Sequence, residues 1–360
     1  MEIDKDQRLR LAVIGCGAVA RAYHLPAARQ SELVDVVALV DRETDRARDL
    51  AAEFGVPTVL SDASELPDDI DAVINALPHN LHAPMSIEFL RRGISVLCEK
   101  PMALNVAEGE AMVAAAEEGG ATLAIALVRR FFDSGNLAKW IVGQGMLGPL
   151  VSAEFEEGGE YTWPVASGFF WDRARAGGGV LIDTGAHVLD QLIWWLGDPV
   201  DVSYEDDSLG GVEANCRLAL ALPQGDSTFP VTVTLSRTHA LANRAYIVGT
   251  DASLVVDSAD TVGVNLYRNP EGMDEGVHAD WTCGVEETIS PISSEPPVIQ
   301  NYFDLQLDDF ATALIDRREP RASGAEALRS VKLIDSCYAH RKDMVLPWVS
   351  MADSREANHE

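Results

Sequence analysis

Two side chains four residues apart set the first question: Asp183 and His187, in the run from Gly177 through Gly178, Gly179, Val180, Leu181, Ile182 and Asp183 to His187 and Asp190. On a helix, positions i and i+4 share a face, so carboxylate and imidazole would open onto one pocket. There the acid would set the ring's orientation or charge while the ring moves a proton. A helical Asp/His pair is more often a surface or capping contact, so the chemistry depends on what else the chain brings beside it. The three glycines before the helix read as a flexible border of such a pocket.

The first element able to position a reactant lies upstream. Leu9 to Ile14 is a short apolar run suited to a buried parallel strand, and Gly15-Cys16-Gly17-Ala18-Val19-Ala20 follows as GxGxxA, opening an alanine-rich helical stretch. Gly15 permits the tight turn and Gly17 lets the backbone near a pyrophosphate. Ala20 lets the helix pack close to the strand, so Gly15, Gly17, Ala18 and Val19 are expected to present the helix N-terminus to the anion. A second apolar run, Val34 to Val40, ends in Asp41, where a dinucleotide fold places the acid that binds the adenosine ribose. A carboxylate there favours NAD by accepting from a free 2′-OH and repelling a 2′-phosphate. Arg42 keeps NADP open, its alternative being an exposed arginine on a solvated helix.

Strand-like Ala72 to Leu77 leads into Pro78-His79-Asn80-Leu81-His82, a helix near Met85 to Arg92, and a strand from Ile94 to Cys98 that ends in Glu99-Lys100-Pro101. Loops after the carboxyl ends of parallel strands form the ligand crevice, so Leu77, Pro78, His82, Glu99 and Lys100 are expected to border the cofactor. For His82 a structural hydrogen bond at a helix start is equally compatible. Lys100 stands between a buried-looking strand and a proline, in a chain with only Lys5, Lys100, Lys139, Lys332 and Lys342, so lysine is not its default surface residue.

With GxGxxA, Glu99-Lys100-Pro101 and the stretch from Gly177 to Asp190 in this order and spacing, the chain resembles the Gfo/Idh/MocA family of nicotinamide-dependent oxidoreductases over nearly its whole length. The resemblance implies that Lys100 binds and polarises the reacting oxygen, that Asp183 orients substrate and histidine, and that His187 is the general acid/base. It also implies a cis Lys100-Pro101 bond. Some relatives carry tyrosine at the position of His187; the histidine here favours proton transfer of the inositol dehydrogenase type. Oxidising a secondary alcohol needs a base near neutrality for the hydroxyl proton and a cation beside the developing alkoxide, while hydride leaves for the nicotinamide.

Other candidates carry two readings each. Arg129 and Arg130 mark the crossing between domains, where they reach substrate hydroxyls or pair with acids across the junction. Tyr161, Trp163, Phe169, Phe170 and Trp171 form either a wall for the apolar face of a sugar ring or core or subunit packing, with Trp171 taken as a substrate contact. His24 is expected to cap or pack near the first helix.

The predicted fold class is α/β, with an N-terminal Rossmann domain, a doubly wound parallel sheet, over residues 1–128. A C-terminal α/β domain with a large, mostly antiparallel open sheet follows over 129–360, its terminal helices free to pack back on the first domain. Alternating runs at Leu150 to Glu156, Val212 to Leu222, Phe229 to Arg237, Ala245 to Gly249 and Ser253 to Val256 supply the second sheet. Helices are expected over Asn301 to Arg317 and Gly324 to Arg341, a closing strand over Met344 to Val349, and a polar tail over Asp353 to Glu360. One sheet face would carry the Asp183/His187 helix. The other is expected to be apolar and buried in a homodimer or homotetramer.

Composition sets limits. A net charge of −29 opposes binding to nucleic acid or an anionic membrane surface. The acidic excess fits a salt-rich cytoplasm, while the preference of arginine over lysine also follows from a GC-rich genome. Cys16, Cys98, Cys216, Cys283 and Cys337 show no metal spacing and leave an odd count, so a reducing cytoplasm and no metal are expected, and no leader or membrane-spanning run is seen. The expected activity is a dehydrogenase or ketoreductase using NAD, or NADP, on a polyhydroxylated ring such as an inositol, a sugar, an aminocyclitol or a nucleotide sugar. The alternatives are a non-catalytic cofactor-binding regulator and a redox-assisted hydrolase or lyase of the same fold. Lys100, Asp183 and His187 occurring together favour the enzyme.

Overall fold

The computed structural model describes residues 8–162, 168–268, 285–289 (backbone only) and 298–345. Trp163, Cys283, the end of the expected closing strand and the polar tail lie outside them. The first half alternates β1 (Leu9–Ile14), α1 (Leu25–Gln30), β2 (Val34–Val40), α2 (Thr44–Phe54), β3 (Thr58–Leu60), β4 (Ala72–Asn75), α3 (His82–Arg91), β5 (Ser95–Cys98), α4 (Val106–Gly119) and β6 (Leu123–Ile125). All pairings are parallel, in the order β3-β2-β1-β4-β5-β6. That is the doubly wound order, with its switch point between β1 and β4.

The apolar strand runs are buried because both faces of this sheet are covered. Leu11, Val13, Leu39, Ile74 and Leu97 pack to one side with Leu25 of α1, and Ala12, Ile14, Val40, Val73 and Val96 pack to the other with Phe89, Leu90 and Met112 of α3 and α4. The strand period of two sorts one continuous apolar run onto two helix layers.

The second half runs α5 (Asp133–Gly143), β7 (Leu150–Gly158), α6 (Arg173–Ala176), α7 (Val180–Leu196), β8 (Asp201–Asp206), β9 (Asn215–Gln224), β10 (Ser227–Ser236), β11 (Arg244–Gly249), β12 (Ala252–Asp257), β13 (Val264–Arg268), β14 (Val285–Ile289), α8 (Ile299–Asp316), α9 (Gly324–Ala339) and β15 (Lys342–Asp343). Among the described residues its sheet has nine strands, ordered β14-β13-β12-β11-β7-β10-β9-β8-β15. It is antiparallel except where β10 joins β7 and β15 joins β8. Among the described residues the last strand is Lys342–Asp343, with Met344 N donating to Asp206 O just beyond; of the closing strand expected from Met344, residues 346–349 lie outside the described residues.

Helix α7 lies on this sheet through Leu181, Ile182, Leu189, Leu192 and Ile193. Gly185 permits the close approach: a Cβ there would stand 3.0 Å from a Leu235 methyl. Helix α8 packs on the first domain through Phe303, Leu307 and Phe310, and α9 bridges both, with Leu328 and Val331 in the first domain's core and Leu333 and Ile334 in the second's. The far face of the second sheet is mixed. Glu154, Arg217, Ala219, Thr228, Pro230 and Thr232 are exposed on its β7, β9 and β10 strands, while half-buried Tyr246, Val248, Val255 and Tyr267 of β11, β12 and β13 carry the apolar part expected there. Among the described residues no helix is long and apolar enough to cross a membrane.

Candidate active site

A cavity of about 800 Å³ runs from the carboxyl edge of the parallel sheet to α7. Gly15, Gly17, Ala18, Val19, Asp41, Arg42, Leu77, Pro78, His82, Glu99, Lys100, Arg129, Asp183 and His187 all line it. At its cofactor end Gly15 has φ +94°, and a Cβ there would lie 2.4 Å from Ala76 O, so only glycine makes this turn. A Cβ on Gly17 would meet nothing within 4 Å, which leaves bare backbone beside the space a pyrophosphate needs. Cys16 N donates to Asp41 Oδ2 at 2.8 Å and Glu43 N to Oδ1 at 2.9 Å, fixing the carboxylate beside the glycine turn. These residues fit a dinucleotide. Arg42 is exposed at the rim, and the Arg46 guanidinium lies 3.4 Å from Asp41.

His82 lines the cavity, yet its ring is engaged elsewhere: Nδ1 lies 2.6 Å from Pro101 O and Nε2 2.8 Å from Leu77 O. Both ring nitrogens are thus engaged by the protein, the structural alternative for this histidine, while the ring itself still borders the cavity. Glu99 is buried, its Oε1 2.7 Å from His24 Nε2 and its Oε2 accepting from Lys100 N at 3.1 Å. Burial works to raise the Glu99 pKa, but His24, Lys100 and His82 hold it below the usual value. His24 therefore does more than pack near a helix. The Lys100-Pro101 bond is cis.

Lys100 and α7 meet at the cavity's centre. Lys100 Nζ donates to Asp183 Oδ1 at 2.6 Å and to Asp183 O at 3.2 Å, and Arg237 Nη2 donates to Asp183 Oδ2 at 2.6 Å. Burial pushes the Asp183 carboxyl up, but Lys100 and Arg237 overcome it and hold the acid well below the usual carboxylate range. No hydrogen bond joins Asp183 to His187, although the Asp183 charge acts on the ring. Both residues sit on one helix face, but both oxygens of Asp183 are taken by cations, and His187 Nδ1 is buried with no hydrogen-bond partner among the described residues. Burial, then Lys100 and Arg129, hold the His187 pKa well below the ordinary imidazole value. That shift favours the neutral ring, beside the Lys100 cation.

Substrate-side expectations divide. Glu157 grips Arg129 at 2.6 Å through each oxygen, and Asp190 grips the buried Arg130 at 2.7 and 2.9 Å. Both arginines thus pair with acids of the second domain itself, Arg129 while still facing the cavity. Trp171 is 58% exposed and absent from the cavity wall, correcting its assignment as a substrate contact, since its ring packs edge-on to Tyr161. Tyr161, Phe169 and Phe170 do line the cavity, as does His79, whose Nδ1 donates to Ala176 O at 2.9 Å. Burial, then His82, pushes the His79 pKa down to about 3. The glycine run is packed rather than flexible: a Cβ on Gly178 would fall 1.9 Å from Tyr338 Oη, and one on Gly179 the same distance from Glu213 O. Glu213 then caps α7, its backbone O accepting from Val180 N at 2.9 Å and its Oε1 from Leu181 N at 3.0 Å.

Arg237, His79 and Glu213 were not singled out by the sequence. Arg237 ends a strand pattern, His79 stands in a loop read for its neighbours, and Glu213 is one acid among 57 aspartates and glutamates. Each meets its partner across a long stretch of chain, so no local spacing marks it.

Comparisons with known proteins place both halves of the chain in one family. Residues 9–127 match the model of the oxidoreductase family's NAD-binding Rossmann fold, and residues 139–351 that of its C-terminal α/β domain. A protein of Amycolatopsis mediterranei provisionally named UDP-kanosamine synthase oxidoreductase subunit is 28% identical over 92% of this chain and 95% of its own. The dTDP-3,4-didehydro-2,6-dideoxy-alpha-D-glucose 3-reductase of Actinomadura kijaniata is 26% identical over 94% and 97%. The aldose-aldose oxidoreductase of Caulobacter crescentus, solved with glycerol, superposes with a TM-score of 0.78 at 26% identity, covering 93% and 97%. The chain belongs to the Gfo/Idh/MocA family and is an NAD(P)-dependent oxidoreductase.

Proposed function

We propose that the protein transfers a hydride between nicotinamide and a secondary alcohol or ketone on a polyhydroxylated ring. The observation that carries this reading is the convergence of Lys100 and His187 on one cavity with the dinucleotide cradle. A bound cofactor supplies the hydride acceptor or donor. Lys100 stabilises the reacting oxygen as its charge develops, and neutral His187 takes the hydroxyl proton in oxidation. Asp183 serves Lys100: clamped by Arg237, it orients the ammonium toward the space before His187. Asp41 supports NAD over NADP.

Among ring substrates, Arg175 favours one that carries a diphosphate, as the two nucleotide-sugar relatives suggest by name. It lies on the cavity wall, exposed, and makes no ion pair with another described residue, although acids outnumber bases two to one in the chain. Tyr246, Val248, Val255 and Tyr267 on the outer face of the nine-stranded sheet support a homo-oligomer through that face. A screen of cyclitols, free sugars and nucleotide sugars, following NADH absorbance with either cofactor, tests the reading. Turnover is expected first among nucleotide sugars, with Arg175→Ala raising their KM; no turnover on any polyol class would refute the dehydrogenase assignment.

A further inference from the structure

His82 is fully buried, and each of its ring nitrogens faces a backbone carbonyl: Pro101 O from Nδ1 at 2.6 Å and Leu77 O from Nε2 at 2.8 Å. Carbonyl oxygens only accept. A neutral imidazole has one N–H and one lone pair, so in either tautomer it would turn a lone pair onto an oxygen within contact distance and leave a buried acceptor unmet. Only the doubly protonated ring satisfies both. The two separations are also those of charge-assisted bonds, shorter than the usual N–H···O distance of about 2.9–3.0 Å.

We infer that His82 is held as an imidazolium at neutral pH, clamping the loops after β4 and β5 together and thereby positioning Lys100. The clamp spans the places that matter. Leu77 and Pro78 line the cofactor crevice, and Pro101 follows Lys100 directly. The backbone of His82 is itself fixed, its O accepting from Nδ2 of the buried Asn75 at the end of β4, at 3.0 Å. The counter-charge is Glu99, also buried, and a buried charge needs such a partner.

The groups facing the ring oppose one another. Burial draws the His82 pKa below the ordinary imidazole value and Lys100 acts in the same sense, while the Pro101 and Leu77 carbonyls and the Glu99 carboxylate act against them. His79, its ring centroid 5.7 Å away, stays neutral and adds no charge. The geometry decides the balance, because loss of the second proton would break one of two bonds that nothing else nearby replaces.

The kinetic consequence rests on the proposed role of Lys100; the protonation state does not, so the two are tested separately. Nitrogen-15 NMR of the histidine rings in the full-length protein at about pH 7.5, where an ordinary imidazole is largely neutral, should show a ring with both nitrogens protonated. That signal should persist in His24→Asn, which removes the other histidine beside Glu99, and vanish in His82→Asn. Should His82→Asn not fold, wild type and His24→Asn together still decide the matter. No such ring in wild type, or one that disappears in His24→Asn and leaves no other, would overturn the inference. In His82→Asn, kcat should fall about ten- to a hundredfold, the scale of a small misplacement of a reacting group, with NADH affinity changed far less. Turnover within about twofold of wild type would overturn the positioning role, since a misplaced group costs more than that.

Discussion

On the cofactor side of the cavity, the groups that face it come from the ends of β1, β2, β4 and β5, each within a few residues of a buried parallel strand. On the substrate side, the decisive contacts join residues 83 positions apart, Lys100 to Asp183, and 54 apart, Arg237 to Asp183. The first half is fixed by local backbone geometry, with Gly15 and Asp41 as its pins. The second is an electrostatic assembly in which Asp183 has a charge partner on each oxygen, drawn from both domains. The cofactor half should therefore lose binding locally when damaged, whereas the substrate half should lose charge placement, and with it rate and stability together.

That contrast can be broken in four places, in falling order of effect. Lys100→Ala should lower turnover about a thousandfold, within the range for loss of a charge-stabilising group, with NADH affinity little changed by fluorescence titration. A matching loss of NADH binding would place Lys100 in the cofactor half. Arg237→Ala should cost about 3–5 kcal/mol in denaturant melts, because it strips one partner from a buried carboxylate, and should slow turnover as Lys100 loses its fixed acceptor. A neutral melt would deny the assembly its role. Asp41→Ala should raise the KM for NAD about tenfold, the scale of a charged hydrogen bond, while leaving NADP nearly unaffected; equal losses would remove the ribose contact.

The effect that is smallest near neutral pH, and grows only as pH falls, concerns protonation. His79 has a folded pKa of about 3, below its unfolded value, so the unfolded chain binds a proton first. Its contribution is present above about pH 6.5 and is lost as pH falls toward the folded value. In His79→Gln the slope of stability against pH between these limits should flatten by up to about 1.4 kcal/mol per pH unit. Parallel curves for the two proteins would show that His79 is not the buried neutral group described.

The asymmetry also explains what the sequence could disclose. GxGxxA, Asp41 and the alternating runs encode the first domain in contiguous pattern, and the strand bounds at Leu9–Ile14 and Val34–Val40 follow directly from it. Asp183 and His187 were legible as two groups on one helix face. Their relation was not, because spacing says which side chains are neighbours and nothing about which cations approach from outside. Lys100 and Arg237 take the two oxygens of the acid expected to orient His187, and no local signal marks an arginine at a strand end. Gly178 and Gly179 show the same limit: glycine signals freedom in sequence, but here Tyr338 and Glu213 occupy the space a side chain would fill.

The central claim is that His187 moves the proton in a cavity whose cofactor half is independent of it. Its most direct test measures turnover and NADH dissociation constant side by side in His187→Ala, on whichever ring substrate the screen identifies. A fall in kcat of about a hundredfold or more, the scale of general acid/base catalysis, with NADH affinity within about threefold of wild type, is the predicted result. Wild-type turnover in the purified variant would contradict it.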